Sequence, residues 1–202
     1  MRKKILTACM AIVALAAFAA PSASATNLKE NGTTLAVGSS VKSTNVGSIL
    51  FTAGELTTSC NLFVGNWTIT SESGGTIVIE MGSTIGTYGG TGKGGDCTSP
   101  LGDVKWSTHS RTCLHINNSD SVTITGCGAS HLFVLNITGI VTCNYRAASI
   151  GGTISTSGDA AVTITEQPVT EEGGKFLCPD SGKLDMSFAL TTTDGTTLQF
   201  TS

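Results

Sequence analysis

The chain has 202 residues, of which 12% are charged and 5% aromatic, with 14 acidic residues against 11 basic ones. This length suits one domain of ordinary size or two small ones. Beyond the first four residues the basic residues stand singly, so the chain lacks the positive patch that nucleic-acid backbones require, and we expect no nucleic-acid partner.

The first 25 residues have the three parts of a cleavable secretory signal, in the form typical of bacteria. The basic start Arg2-Lys3-Lys4 precedes an apolar run over residues 5–20, and Ala23-Ser24-Ala25 supplies the small residues of a cleavage site. An uncleaved anchor is the alternative, but the run is short for a span of about 20 residues. No later segment reaches spanning length. We therefore expect residues 26–202 to be secreted, or held at the cell surface without a membrane span.

The exported part is acidic and rich in cysteine. It loses three of the 11 basic residues and none of the 14 acidic ones, which leaves a formal charge of −6. Six cysteines remain: Cys60, Cys97, Cys113, Cys127, Cys143 and Cys178. An even number of cysteines in an oxidising compartment predicts disulfides, although the count leaves their pairing open. No Cys-x-x-Cys motif is present, so the cysteines are not expected to bind metal.

Apolar and polar residues alternate with period two along the exported part, as half-buried antiparallel strands require. In chain order the clearest segments are 67–70, 76–81, 121–124, 162–165 and 183–190. Gly-rich sequences at 73–75, 89–90, 94–96, 151–152, 173–174 and 179–182 predict turns. The sequence therefore predicts an all-β fold, either an antiparallel β-sandwich or a barrel-like sheet, stapled by disulfides.

Two stretches of the chain resemble each other. The first runs from Ser59-Cys60-Asn61 to Cys97, and the second runs from Thr142-Cys143-Asn144 to Cys178. Two related β units, at about 45–105 and 120–202 within one domain, would explain the likeness, and shared β-rich composition is the alternative. The two-unit interpretation favours the pairs Cys60–Cys97 and Cys143–Cys178, and it leaves Cys113 to pair with Cys127.

The second half of the chain carries a resemblance. Thr142-Cys143-Asn144-Tyr145, then Phe176-Leu177-Cys178-Pro179 and the closing alternating strand, resemble a group of secreted actinobacterial proteins of unknown function. The likeness covers most of the exported part. It implies a secreted β protein and supplies no activity, cofactor or site residue.

The reactive side chains form no recognisable constellation. Asp180-Ser181-Gly182 is similar to the nucleophile region of chymotrypsin-like proteases, but Pro179 and Lys183 replace the flanking glycines of that motif, so a turn is predicted instead. The histidines match no zinc motif; they are His109, His115 and His131. We expect no catalytic residue, no cofactor and no metal site.

The two tryptophans differ in their sequence surroundings. Trp67 alternates with Ile69 and is predicted to lie in the core. Trp106 lies between Lys105 and Ser107 in a polar stretch, and we expect it to be the exposed one. Trp106 is therefore the candidate ligand contact, for example with a glycan.

Three functions are compatible with these observations. A non-enzymatic β domain is favoured, which would bind a cell-surface glycan or protein or form part of the surface, because no reactive groups cluster. A secreted hydrolase with an atypical site would need a deep pocket with two close carboxylates, or a Ser in contact with a His. A small-ligand carrier would need a large apolar cleft.

Signal cleavage gives the first testable prediction. Because Ala23-Ser24-Ala25 fits the peptidase site, the protein recovered from the culture supernatant should begin at Thr26 by mass spectrometry. Finding only the full-length chain, in the membrane fraction, would show that the segment is an anchor.

Overall fold

The computed structural model describes residues 26–81, 87–89, 97–100, 102–108, 111–128, 133–139, 141–173 and 176–202. Every regular element there is a β-strand, as the sequence predicts, and the strands pair antiparallel in one large sheet and one small one. The segment 1–25, with its predicted signal, lies outside the described residues, as do His109 and His131. Within these ranges no helix is long and apolar enough to cross a membrane.

The strands follow the predicted alternation closely. They are β1 (Asn27–Glu30), β2 (Thr33–Thr34), β3 (Ser40–Asn45), β4 (Ile49–Ala53), β5 (Leu56–Cys60), β6 (Leu62–Ser73), β7 (Thr76–Met81), β8 (Thr87–Gly89), β9 (Cys97–Ser99), β10 (Gly102–Thr108), β11 (Thr112–Asn117), β12 (Ser121–Gly126), β13 (Phe133–Thr138), β14 (Thr142–Ala147), β15 (Ile150–Ile154), β16 (Ala161–Glu171), β17 (Ser181–Thr191) and β18 (Leu198–Thr201).

The large sheet closes on itself in two rings that share β16 and β17, and β8 links the rings by pairing with both β6 and β10. One circuit of hydrogen-bonded strands runs β17–β4–β5–β9–β10–β13–β14–β16 and returns to β17, and we call it the open ring. The other runs β17–β3–β6–β7–β11–β12–β15–β16 and also returns to β17, and we call it the capped ring. Both rings draw strands from both of the segments 45–105 and 120–202. The architecture is thus barrel-like, and closure leaves few strand edges exposed.

The rings share the long hairpin of β16 and β17. Residues 161–164 of β16 pair with β17 inside the capped ring, and residues 167–170 pair with it inside the open ring. A β-bulge separates the two ladders, and within it Glu166 has a positive φ of 48°. A bulge bends its strand and increases the local twist, which redirects β16 from one neighbour, β15, to the other, β14.

Apolar side chains fill the capped ring. Trp67 is 3% exposed, which confirms its predicted core position, and its ring stacks on Phe188 with centroids 6.5 Å apart. The indole Nε1 of Trp67 donates a hydrogen bond to Ser43 Oγ at 2.8 Å. This bond satisfies the one polar atom of the indole, so the side chain can be buried without a lost hydrogen bond.

A small three-stranded sheet lies over one end of the capped ring. Its order is β18–β1–β2, and it places Leu28, Leu198 and Phe200 in the core, each at most 1% exposed. Thr26 Oγ1 donates to the carbonyl of Gly75 in the β6–β7 turn, and Leu198 accepts from the backbone N–H of Ala160. This end of the molecule is therefore closed.

Gly152 and Gly182 belong to predicted turns but lie in strands instead. Gly152 belongs to β15, where a Cβ would come within 2.5 Å of the Thr163 carbonyl oxygen. Gly182 belongs to β17, where a Cβ would lie 2.3 Å from the ring of Phe51. Both glycines permit close packing across the sheet, a role that sequence alone does not distinguish from a turn.

Disulfides cross the two seams of the open ring that have the shortest described ladders. Between β5 and β9 one residue pair is aligned, Ser59 with Thr98, and the adjacent Cys60 and Cys97 are bonded. Between β14 and β16 two pairs are aligned, and Cys143 of β14 bonds Cys178 in the β16–β17 loop. The third disulfide, Cys113–Cys127, lies at the β11–β12 hairpin. These are the pairs that the two-unit interpretation favours, and such staples are typical of an oxidising compartment.

The disulfides are predicted to have unequal roles, because they close loops of different size and because the β5–β9 ladder has one aligned pair. Removing the Cys60–Cys97 bond, by changing both residues to Ala, should cost about 4 kcal/mol of unfolding free energy in the chain-entropy model, against about 3 kcal/mol for the shorter Cys113–Cys127 loop. The first variant should also lose amide-exchange protection at Ser59 and Thr98, and the second variant is the matched control. Equal exchange at that seam in both variants would contradict the assignment.

Candidate functional site

A cavity of about 190 Å³ lies in the open ring, next to the β13–β14 turn and the β16–β17 loop. Its wall comes from strands β4, β5, β9, β10, β13 and β14, from the β13–β14 turn and from the β16–β17 loop. Alternation along these strands directs their apolar residues inward, among them Phe51, Val104 and Ile137. None of the described residues that line the cavity carries a charge.

Phe51 contributes the aromatic part of the wall and is held from several sides. Its ring lies 4.5 Å from that of Tyr145, tilted by 48°, and 6.3 Å from that of Trp106 in an edge-to-face arrangement. The backbone of Gly182 packs directly against the Phe51 ring. Such contacts on a closed ring hold a side chain in one rotamer, so this wall is preformed.

Thr58 is a polar residue of the lining, and its hydroxyl oxygen is itself buried. It pairs with Phe51 across the β4–β5 ladder, so both side chains lie on the inner face. Thr58 is 2% exposed, and its Oγ1 has no hydrogen-bond partner among the described residues. By contrast, the Ser99 hydroxyl, which also lines the cavity, donates to the Gly102 carbonyl at 2.7 Å.

Tyr145 also lines the cavity and carries a phenolic hydroxyl. It is 1% exposed, and burial raises its pKa to about 12, with further contributions from the negative charges of Glu171 and Asp180. The phenol is therefore neutral at every physiological pH and offers a dipole rather than a charge.

The β16–β17 loop forms one side of the cavity mouth. Leu177 and Pro179 line the cavity on either side of Cys178, whose disulfide to Cys143 fixes the loop against β14. Leu177 is nevertheless 62% exposed, and the neighbouring Phe176 is 99% exposed. The apolar surface of the cavity thus continues outward onto its rim.

The prediction that Trp106 is the exposed tryptophan is wrong. Trp106 is 4% exposed and lies on the inner face of β10 with Val104, whereas Lys105 between them faces solvent. Successive side chains of a strand point to opposite faces, so a residue that faces inward in a half-buried strand has polar residues on both sides. Trp106 supports the cavity wall through its contact with Phe51, and it presents no face to solvent for a glycan.

The other sequence candidates are not among the described residues that line the cavity. His115 Nε2 is 3.2 Å from Thr125 Oγ1 across the β11–β12 ladder, as a hydrogen-bonded histidine would be. Ser181 begins β17 with an exposed side chain, so Asp180-Ser181-Gly182 is the start of a strand. Among the described residues one group has metal-ligand spacing, Glu80 with Cys113 and Cys127, but both sulfurs are joined in the disulfide.

Comparison of this chain with models of protein families, with curated proteins and with solved structures finds no match.

The buried phenol predicts a pH dependence of stability. The folded pKa of Tyr145, about 12, is above its ordinary value of 10.0, so Tyr145 contributes stability that is fully present below pH 10 and is lost as pH rises toward 12. The difference in unfolding free energy between the wild type and Tyr145→Phe should therefore shift in favour of the variant over this range.

Only two tyrosines are present, so phenolate absorbance can follow the same event directly. Tyr145→Phe should remove the transition of highest pKa, and Tyr88→Phe should retain it. A folded protein in which both tyrosines ionise near the ordinary pKa would refute the burial of this hydroxyl.

Proposed function

We propose that this chain is a secreted, non-enzymatic binding protein whose open-ring cavity takes up a small apolar molecule. Of the three functions compatible with the sequence, this is the small-ligand carrier. The observation that carries the proposal is the cavity itself, which is apolar, preformed and open to solvent at one end of a closed ring of strands.

The form of the open ring supports this proposal. Eight-stranded barrels have interiors that side chains just fill or that hold one small ligand. The capped ring is of the filled kind, with Trp67 and Phe188 at its centre. The lining of the open-ring cavity includes the aromatic residues Phe51 and Tyr145 and smaller residues such as Val141 and Gly139. An apolar space of this size has room for a small apolar molecule.

The lining argues against the hydrolase alternative. Hydrolysis would need paired carboxylates or a serine with a base, and the described lining residues include no acid and no histidine. The buried position of Trp106 likewise removes the exposed aromatic face on which a glycan-binding role depended.

Export is part of the proposal and has separate support. The three disulfides are typical of an oxidising compartment, and the first 25 residues have the form of a cleavable signal. Outside the cell the disulfides stay oxidised, so the staples of the open ring would remain in place while the protein binds its ligand.

Naphthalene, a neutral hydrocarbon of suitable size, tests the binding function. Calorimetry should show one site with a Kd on the order of 10–100 μM, the range expected for about ten apolar atoms. Val141→Trp, which would fill the cavity, should abolish binding. Val37→Trp places the same residue at an exposed valine outside the cavity lining and should leave the Kd unchanged.

Melting curves of both variants would verify that they fold. No binding of naphthalene by the wild type, or equal binding by Val141→Trp, would exclude the cavity as the site.

A further inference from the structure

The burial of the lining residues shows on which side the cavity opens. One group of lining residues forms its inner part, each at most 8% exposed: Phe51, Thr58, Val104, Ile137, Cys143 and Tyr145. The other group is half-buried or exposed: Leu56, Ser99, Gly139, Val141, Leu177 and Pro179. The cavity therefore has a buried inner end, and its mouth lies on the side of the second group.

Strand direction places this mouth at one end of the open ring. The ring consists of the hairpins β4–β5, β9–β10, β13–β14 and β16–β17, and all neighbouring strands in it are antiparallel. Strands that alternate in direction around a closed ring have their hairpin turns at the same end. Leu56, Ser99 and Val141 lie at three of these turns, and Leu177 lies in the fourth connection. The four hairpin connections thus surround the mouth.

The apolar surface does not stop at the mouth. Leu177 lines the cavity and is nevertheless 62% exposed, and the preceding residue, Phe176, is 99% exposed. The loop that carries this pair is joined to β14 by its disulfide, and the backbone N–H of Glu172 donates to the Asn144 carbonyl of β14 at 2.7 Å. An apolar surface therefore continues from the cavity wall onto a loop that is fixed beside the mouth.

The volume and the lining limit what the cavity can bury. Apolar cavities of about 150 Å³ hold a benzene-sized molecule, so 190 Å³ suits roughly eight to ten carbon atoms. None of the described lining residues is charged, so a charged or strongly polar group would lose its hydration inside without gaining a counter-ion. The polar part of a ligand is therefore better placed outside the mouth, and a ligand with a longer apolar part would also cover the exposed pair.

We infer, on the basis of the binding function proposed above, that the ligand is a linear amphiphile whose unbranched alkyl chain is longer than the cavity and enters it tail first. The end of the chain packs against Phe51 in the inner part. The outer methylenes lie over Leu177 and Phe176, and the polar head group remains in water.

Primary alcohols of increasing length test this inference by calorimetry. The affinity should rise about 15-fold from 1-hexanol to 1-octanol, because each methylene that leaves water inside the cavity adds about fourfold. It should rise about 15-fold again from 1-octanol to 1-dodecanol, at about twofold per methylene, because the loop covers the outer methylenes on one side only.

A double variant tests the contribution of the loop. Phe176→Ser combined with Leu177→Ser should reduce the gain from 1-octanol to 1-dodecanol to at most about threefold, and it should weaken 1-hexanol by at most about threefold. Val46→Ser combined with Leu62→Ser is the matched control, since these residues are 55% and 44% exposed and lie outside the lining. The control should retain the wild-type chain-length dependence, and melting curves would verify that both variants fold.

The direction of insertion has its own probe. 1,12-Dodecanediol has the chain of 1-dodecanol but would carry a hydroxyl into the buried inner part, so it should bind at least about fivefold more weakly. Equal affinity of the diol and the alcohol would contradict tail-first insertion and overturn the inference.

Failure of this inference differs from failure of the proposed function. An affinity that stops rising beyond 1-octanol, or a gain that the double variant leaves unchanged, would overturn the inference while the binding function stands. Phosphatidylcholine vesicles that bind the wild type and not the double variant, with unchanged alcohol affinities, would assign the exposed pair to a membrane surface and would also overturn it. Absence of binding by naphthalene and by every alcohol would overturn the proposed function as well.

Discussion

The β16–β17 hairpin is the element on which the rest of the structure depends, because both closed rings include it. Each of its strands has 11 residues, long enough to serve the capped ring with one half and the open ring with the other. The bulge before Gln167 redirects β16 between the two rings, and Asp185 on β17 accepts a hydrogen bond from the backbone N–H of Glu166 in that bulge at 2.8 Å. Disruption of this hairpin would open both rings together.

The difference between the rings follows from side-chain size and from what covers each end. The capped ring contains Trp67 against Phe188, and the sheet of β1, β2 and β18 lies over its end. The open ring has no such sheet among the described residues, and its shortest ladders are crossed by two disulfides instead of long runs of hydrogen bonds. Covalent closure allows this end to keep its shape around a cavity that core packing does not fill, and that shape is what a binding site requires.

Local pattern predicted much of the fold, because strand alternation is a property of neighbouring residues. The strands and the core position of Trp67 could be inferred in this way. The three disulfide pairs followed instead from the likeness between the stretches that begin near Cys60 and Cys143, because the number of cysteines leaves the pairing open. The exposure predicted for Trp106 was wrong because its polar neighbours were interpreted as a polar environment, although alternation places such neighbours on the opposite face. The turns predicted at Gly152 and Gly182 are wrong because glycine occurs both in turns and where two strands approach closely, and the sequence does not distinguish the two cases. The cavity itself could not be predicted, since it depends on which side chains from distant strands meet and how much volume they leave.

Chemical-shift mapping of methyl groups tests the central claim, that the open ring and not the capped ring holds the ligand, most directly. On titration with naphthalene, the methyl signals of Thr58, Val104 and Val141 should shift together along one binding curve, and those of Ile79 and Leu114 in the capped ring should remain unchanged. Shifts centred on Ile79 and Leu114, or small shifts spread over the surface without saturation, would contradict the account.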